Sequence, residues 1–403
     1  MKSVKNLFIY ITLAFPKAGL KISGFPLYLS LISSFYFMAL GVKYGFSRRK
    51  ESLWCIIPII SLLTTLLFNQ FSFTAVFFSG ASYLGIPALL AYIVSIFSFY
   101  CYYGAISLKN DHEWKKKLIY VFYFLIGYAF LQKILGDYTV VIPGVTASFQ
   151  DALTPNFLAG KNNMIWGMNY LKATSTYQNG NLFGANLLLI GFAVIANYIT
   201  DKKKIIVPMT LLGITVLLTA SASVYLGMAA AILWMVFFSR NRNSASIIAV
   251  FFGGLFLAII AIVILSTDNI FSQLIYERVL NRDLSAGGGR MEKINDYVEH
   301  ISQTPWLLIN GMLFYNKPFL EVYEILPGAI LQIFGISMLV FFVAFIISKI
   351  RVFFSSPYIL PFIAYFSASL SDGAFWLPPT ATNVFIIMGL CTLWHKNSLP
   401  KIS

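Results

Sequence analysis

The 403-residue chain is 58% hydrophobic and only 11% charged, with a formal net charge of +14. A soluble domain carries roughly 25% charged residues, so this composition excludes an ordinary water-facing surface and predicts a polytopic membrane protein. The positive charge sits in short runs between apolar stretches, which points to membrane topology and not to nucleic acid as a partner.

A bilayer span needs about 20 apolar residues. Taken in order, the sequence predicts an all-α single membrane domain, 1–403, of about 12 transmembrane helices. They lie near 4–20, 25–45, 53–68, 83–108, 117–135, 182–199, 205–219, 222–238, 245–265, 326–347, 357–370 and 382–394. The first is interrupted by Pro16, Lys17 and Lys21, and residues 1–15 lack the small-residue cleavage site of a signal peptide. Cys55, Cys101 and Cys391 each fall in an apolar span without Cys/His ligand spacing, so neither a disulfide framework nor a metal site is expected.

Basic runs alternate with these spans: Arg48 to Lys50, Lys109 with Lys115 to Lys117, Lys202 to Lys204, Arg240 with Arg242, Lys349 with Arg351, and Lys396 with Lys401. With the N-terminus on the cytoplasmic side, every one of these runs falls inside, as the positive-inside rule requires. Two long connections, 136–181 and 268–325, then fall outside, together with a short one at 371–381 that holds Asp372. Long connections between tightly linked elements are usually functional or disordered, and both of these carry aromatic residues. The spans hold almost no ionisable residue away from their ends, which argues against a proton- or ion-coupled transporter. Gly184, Gly191, Gly213 and Gly227 are expected to let helices approach closely.

In the second loop, Gly287-Gly288-Gly289 precedes a predicted helix over 290–303 that Pro305 ends. Ile294, Tyr297, Val298 and Ile301 give it one apolar face suited to the membrane interface. Arg278, Arg282 and Arg290 suit a pyrophosphate, since guanidinium forks bind phosphate oxygens bidentately and backbone N–H groups after a glycine run can add to this; solvated loop charges paired with Glu277, Asp283 and Glu292 are the alternative. Glu321 and Glu324 stand before the next span, where a carboxylate suits a general base on a sugar hydroxyl; His300 is the other candidate base, and Asp372 a weaker one. In the first loop, Asn163, Trp166, Tyr177 and Asn179 offer amides for sugar hydroxyls and rings to stack on a sugar face, although Trp166 equally suits an interfacial aromatic belt.

The order of these features resembles a known family. The run Thr176-Tyr177-Gln178-Asn179-Gly180-Asn181-Leu182-Phe183-Gly184-Ala185-Asn186 opens a helix after an outer loop. Leu218-Thr219-Ala220-Ser221-Ala222-Ser223 follows two helices on, then Ser285 to Arg290 with its helix, Thr304-Pro305-Trp306, Gly311, and finally Glu324 to Gly335. This resembles the O-antigen polymerase and ligase superfamily (Wzy type, with the lipopolysaccharide O-antigen ligases) over about 172–335.

The resemblance implies a metal-independent, cofactor-free glycosyltransferase of the bacterial inner membrane, with both termini cytoplasmic and its site facing the periplasm. Its substrates would be glycan repeat units on undecaprenyl pyrophosphate, and its expected partners membrane lipids, a Wzz-like chain-length regulator and a Wzx-like flippase. Arg290 matches the family's loop arginine, as pyrophosphate ligand. Two departures stand out. No arginine follows Ser221-Ala222-Ser223, so a second cation must come from Lys172, Arg278 or Arg282. No histidine precedes the helix after the loop, where Tyr315-Asn316-Lys317 leads to Glu321 and Glu324. That favours polymerase over O-antigen ligase and leaves the base open between Glu324, Glu321 and His300. A lipid-linked oligosaccharide flippase is the reading from another class, set against by the large outer loops.

Overall fold

The structure, a computed structural model, describes residues 2–22, 25–68, 94–108, 111–161, 163–165, 170–198, 202–237, 290–311, 326–370 and 379–398. It is predominantly helical. Helix α1 (Lys2–Ala14) leads into a two-stranded antiparallel hairpin, β1 (Gly19–Ile22) and β2 (Phe25–Tyr28), with Gly19 opposite Tyr28. The expected helix over 4–20 is therefore shorter, and the next starts later than 25. Pro16 disfavours helical backbone before it, Gly19 takes φ 131°, and Pro26 suits only a sheet edge.

Next come α2 (Leu29–Phe46), α3 (Arg49–Phe68), α4 (Tyr100–Ile106) and α5 (Asp111–Leu135). The connection after α5 holds a single helical turn, α6 (Phe149–Ala152), and a second small hairpin of β3 (Met164–Ile165) and β4 (Tyr170–Leu171). Then follow α7 (Gly180–Tyr198), α8 (Lys202–Leu218), α9 (Ala222–Phe237), α10 (Arg290–Gln303), α11 (Leu307–Asn310), α12 (Leu326–Ile350), α13 (Leu360–Ser369) and α14 (Thr380–Ser398).

Among the described residues, four stretches are long and apolar enough to cross a membrane: Leu29–Phe46, Glu113–Leu135, Gly180–Tyr198 and Leu326–Phe353. Shorter apolar helices cover Glu51–Thr64, Val94–Ile106, Lys204–Leu218 and Ala222–Phe237. The expected spans at 4–20 and 357–370 also come out short, as α1 with 13 residues and α13 with 10. At 1.5 Å per residue they reach about 20 and 15 Å, against a hydrocarbon core of about 30 Å. The expected span at 245–265 lies outside the described residues.

Helices α7 and α14 occupy the centre. Residues Leu187 to Ile195 and Phe385 to Met388 are almost wholly buried, so these helices are surrounded by other helices. Small residues allow the close approach that membrane packing relies on. A Cβ at Gly41 of α2 would collide with the Tyr100 carbonyl of α4, and one at Gly104 with the Phe37 carbonyl. The expectation for the glycines of α7 to α9 holds at three positions. Gly184 abuts Val224, Gly191 abuts Leu212 and Phe122, and Gly227 abuts the Ala364 backbone, whereas Gly213 faces open space.

The bundle has two chemically different ends. At one end Glu51 accepts from Lys349 Nζ and from the Tyr103 hydroxyl, both at 2.6 Å, joining the start of α3 to the end of α12 and to α4. The Lys349 ammonium also lies 5.4–5.7 Å from the ring centres of Trp54, Tyr102, Tyr103 and Phe345. Asn197 at the end of α7 accepts from Tyr358 at 3.0 Å. Lys396 and Lys115 lie toward this same end, acting on Glu51 and on Cys391 of α14; α8, with Lys202 to Lys204, starts just after Tyr198 ends α7, and Arg351 directly follows α12. The opposite end gathers the finish of α1, α5 and α8 and the start of α2, α7, α9 and α14, as the hydrogen bonds among their connections show.

Candidate functional site

At the end opposite the basic one, the connection between α5 and α7 turns inward. Residues Asn163 and Lys172 to Gln178 are buried, although most of them are polar. Their depth can be read from their partners. Ser175 Oγ donates to the Leu125 carbonyl at 2.9 Å, and Leu125 lies ten residues before the end of α5, about 15 Å below it at 1.5 Å per residue. Thr176 Oγ1 donates to the Ala14 carbonyl at 2.6 Å and the Tyr177 hydroxyl to the Leu13 carbonyl at 2.7 Å, which satisfies orphan carbonyls at the end of α1. Irregular backbone at such depth survives only where protein partners or a cavity receive its polar groups. The expected outer loop 136–181 is thus in part a polar plug sunk between helices.

The plug is strained. Ser175, Gln178 and Ala220 have φ of 47°, 61° and 46°, left-handed conformations uncommon outside glycine. Such residues persist only where their surroundings over-determine them, and they cluster at functional sites. Ala220 belongs to the α8–α9 turn, which the plug caps: the Leu218 carbonyl accepts from Ala173 N and from the Tyr170 hydroxyl, both at 2.9 Å. The residues just before 176–186 are in this way joined to the 218–223 turn. Beside them the Ser221 and Ser223 hydroxyls pair at 2.9 Å.

Asn163 braces the plug. Its Nδ2 donates to the carbonyls of Leu158 and Gln178, and its Oδ1 accepts from Gly180 N, each at 2.8 Å. Asn179 caps α7, its Oδ1 accepting from Asn181 N at 2.9 Å and Leu182 N at 3.1 Å. Both side-chain polar atoms of Asn163, the Oδ1 of Asn179 and the hydroxyl of Tyr177 are thus engaged by the chain itself. Lys172 is buried over the first turn of α7, its Nζ donating to Asn181 Oδ1 at 3.0 Å. A Cβ at Gly180 would press on the Lys172 side chain.

Three groups unread in the sequence join this site. Lys133 near the end of α5 pairs with Asp137 at 2.8 Å, donates to the Leu171 carbonyl and lies 4.7 Å from the Tyr170 ring centre. Burial pushes the Tyr170 phenol up from its ordinary range, so it remains a donor. Gln132 Nε2 donates to the Ser175 carbonyl at 3.1 Å. Deeper, Asn383 of α14 donates to Asn186 Oδ1 of α7 at 2.8 Å. The sequence signal for these three was a polar residue inside an apolar run.

The second element is a broken helix, in a stretch long and apolar enough to cross a membrane. Helix α12 is interrupted at Gly335, with φ 79° and ψ 179°. Gly311, just after α11, has φ 72° and ψ 179°, and the backbones of 309–311 and 333–335 lie against each other. Ser337 Oγ donates to the Ile309 carbonyl at 3.4 Å and meets Ser61 Oγ of α3 at 3.3 Å. Helix α10 is tied to this break: Tyr297 is buried and its hydroxyl donates to the Leu331 carbonyl at 3.5 Å. Val298, on the same expected apolar face, is exposed.

Arg290 opens α10 and His300 lies in its last turns; their side chains fall outside what is described. Trp166, Arg278, Arg282, Glu321, Glu324 and Asp372 lie outside the described residues altogether. Of the expected site residues, then, Lys172, Asn163, Tyr177 and Asn179 are brought together in the plug, while α10 is held at the break in α12. Among the described residues no cluster of His, Cys, Asp or Glu could hold a metal ion. Comparison with protein-family models, curated proteins and solved structures finds no match to this chain.

Proposed function

We propose that the chain polymerises undecaprenyl-pyrophosphate-linked oligosaccharide repeat units into O-antigen or a related surface polysaccharide, as a metal-independent glycosyltransferase of the bacterial inner membrane. The observation that carries this reading is the two-ended bundle. Basic connections collect at one end, as the cytoplasmic side attracts them, and a sunken polar plug holding Lys172 lies at the other, which we take as periplasmic. A lipid-linked substrate needs such a place, apolar around its tail and polar at its head.

In this reading Arg290, with Arg278, Arg282 and Lys172, grips the diphosphate. Cations set where negative charge develops on a leaving group lower the barrier without a metal. Glu324, Glu321 or His300 takes the proton of the acceptor hydroxyl, and Trp166 offers a stacking face for sugar. Asn163, Tyr177 and Asn179 act one step back, by holding the plug in shape. The test is complementation of a strain lacking this protein. Arg290→Ala should leave single-repeat glycans on the surface lipid at unchanged protein level. Long chains of normal distribution from that variant would overturn the assignment.

A further inference from the structure

The connection after α5 does more than lead to the plug. It folds back along α5 before it turns inward. The Tyr128 hydroxyl donates to the Val140 carbonyl at 2.5 Å and contacts Thr146 Oγ1 at 2.8 Å. Tyr128 lies seven residues before the end of α5, about 10 Å below it. Residues 140–146 therefore sit beside the apolar span Glu113–Leu135 and not above it. The β1–β2 hairpin joins them at this level, with Gly19 N donating to the Gly144 carbonyl at 2.8 Å.

The exposed side chains of this segment are apolar apart from Gln150. Ile142 is 52% exposed, and Val145, Phe149 and Leu153 are exposed with it. These side chains continue the outward stripe of α5, where Leu131, Ile134 and Leu135 are also exposed. Several backbone N–H groups of the segment are meanwhile bonded within it. Ile142 N donates to Thr146 Oγ1, Gly144 N to the Ala147 carbonyl, Val145 N and Thr146 N to the Ile142 carbonyl, and Asp151 N to Ser148 Oγ. Lys21 pairs with Asp151 at 2.7 Å, and its N–H goes to Gln150 Oε1. Water makes no such demand on a surface loop, whereas lipid does.

We propose that the outward face of 140–153, with the hairpin behind it, is seated in the lipid leaflet at the plug's end of the bundle. The occupant is the acyl and headgroup boundary of the bilayer, because the face is continuous with the stripe of a membrane-crossing helix and lies at that helix's depth. The plug thereby has an embedded wall on this side, closed to water.

Site-directed spin labelling of the full chain in nanodiscs of phosphatidylethanolamine and phosphatidylglycerol tests this. All three native cysteines are buried, so a cysteine introduced at Ile142, Val145 or Phe149 gives one accessible thiol for a nitroxide. Lys116→Cys at the basic end serves as the water-facing control. Collision with oxygen should exceed collision with a water-soluble nickel chelate at all three loop positions, and the ratio should invert at Lys116→Cys. Nickel collisions dominating at the loop positions would place the face in water and overturn the proposal. Weak collisions with both would show it covered by a second copy or another protein, which would overturn it equally.

Discussion

Gly311 and Gly335 meet backbone to backbone, each at φ between 72° and 79° with ψ 179°. That conformation is essentially restricted to glycine. A Cβ on either residue would collide with the other's strand of backbone, at Ile333 and Ile309. The contact fixes where the broken helix α12 receives α11 and, through Tyr297, α10.

Alanine at either glycine should therefore cost about 2–5 kcal/mol, combining backbone strain with overpacking. Thermal unfolding in detergent, followed by size exclusion, measures it. Because the two residues touch, the double variant should cost less than the sum of the singles. Additive losses would show that the two glycines act independently.

Asn163→Ala should lower stability by about 2–4 kcal/mol, because three hydrogen bonds vanish and buried backbone groups lose their partners. A sugar ligand at this position would behave otherwise, with unchanged unfolding and a raised KM. Measuring both quantities on one preparation separates a brace from a direct contact.

Lys133→Met should destabilise by about 1–3 kcal/mol, a figure reduced from that of a fully buried pair because both side chains retain some exposure, 16% and 18%. Adding Asp137→Asn should restore part of the loss, since the harm comes from leaving a carboxylate unpaired. A double variant worse than Lys133→Met would contradict this.

Burial pushes the Tyr297 hydroxyl up to about 12 from an ordinary 10.0. A group whose folded pKa is raised stabilises fully below its unfolded value and loses that contribution as pH rises through the folded value. The difference in stability between the native chain and Tyr297→Phe should thus be constant below pH 10 and shrink between pH 10 and about 12. A difference independent of pH across that window would mean that the Tyr297 hydroxyl is not held in a desolvated place.

Local signals in the sequence were read well where they were local in the structure too. The helix over 290–303 appears with those bounds, set by the glycine run before it and Pro305 after it. The starts of α9 and α12, at Ala222 and Leu326, also match. The β1–β2 hairpin was missed because apolar content outweighed Pro16, Gly19 and Pro26. The plug was missed for a different reason. Ser175, Thr176 and Tyr177 are held by carbonyls of Leu125, Ala14 and Leu13, fifty or more residues away in sequence, and no periodicity reports such pairing. Asn163 and Tyr177 look like sugar contacts by composition, which cannot tell whether a polar atom is already engaged by backbone.

The most direct measurement is the length of product made by the purified protein in nanodiscs from a defined polyprenyl-diphosphate-linked repeat unit, with no nucleotide sugar and no added metal. The expected result is a ladder of whole-number multiples of the repeat, absent with Arg290→Ala and strongly reduced with Lys172→Met. Repeats that stay single with the native chain, while the labelled lipid is shown to be bound, would contradict polymerisation as this protein's chemistry.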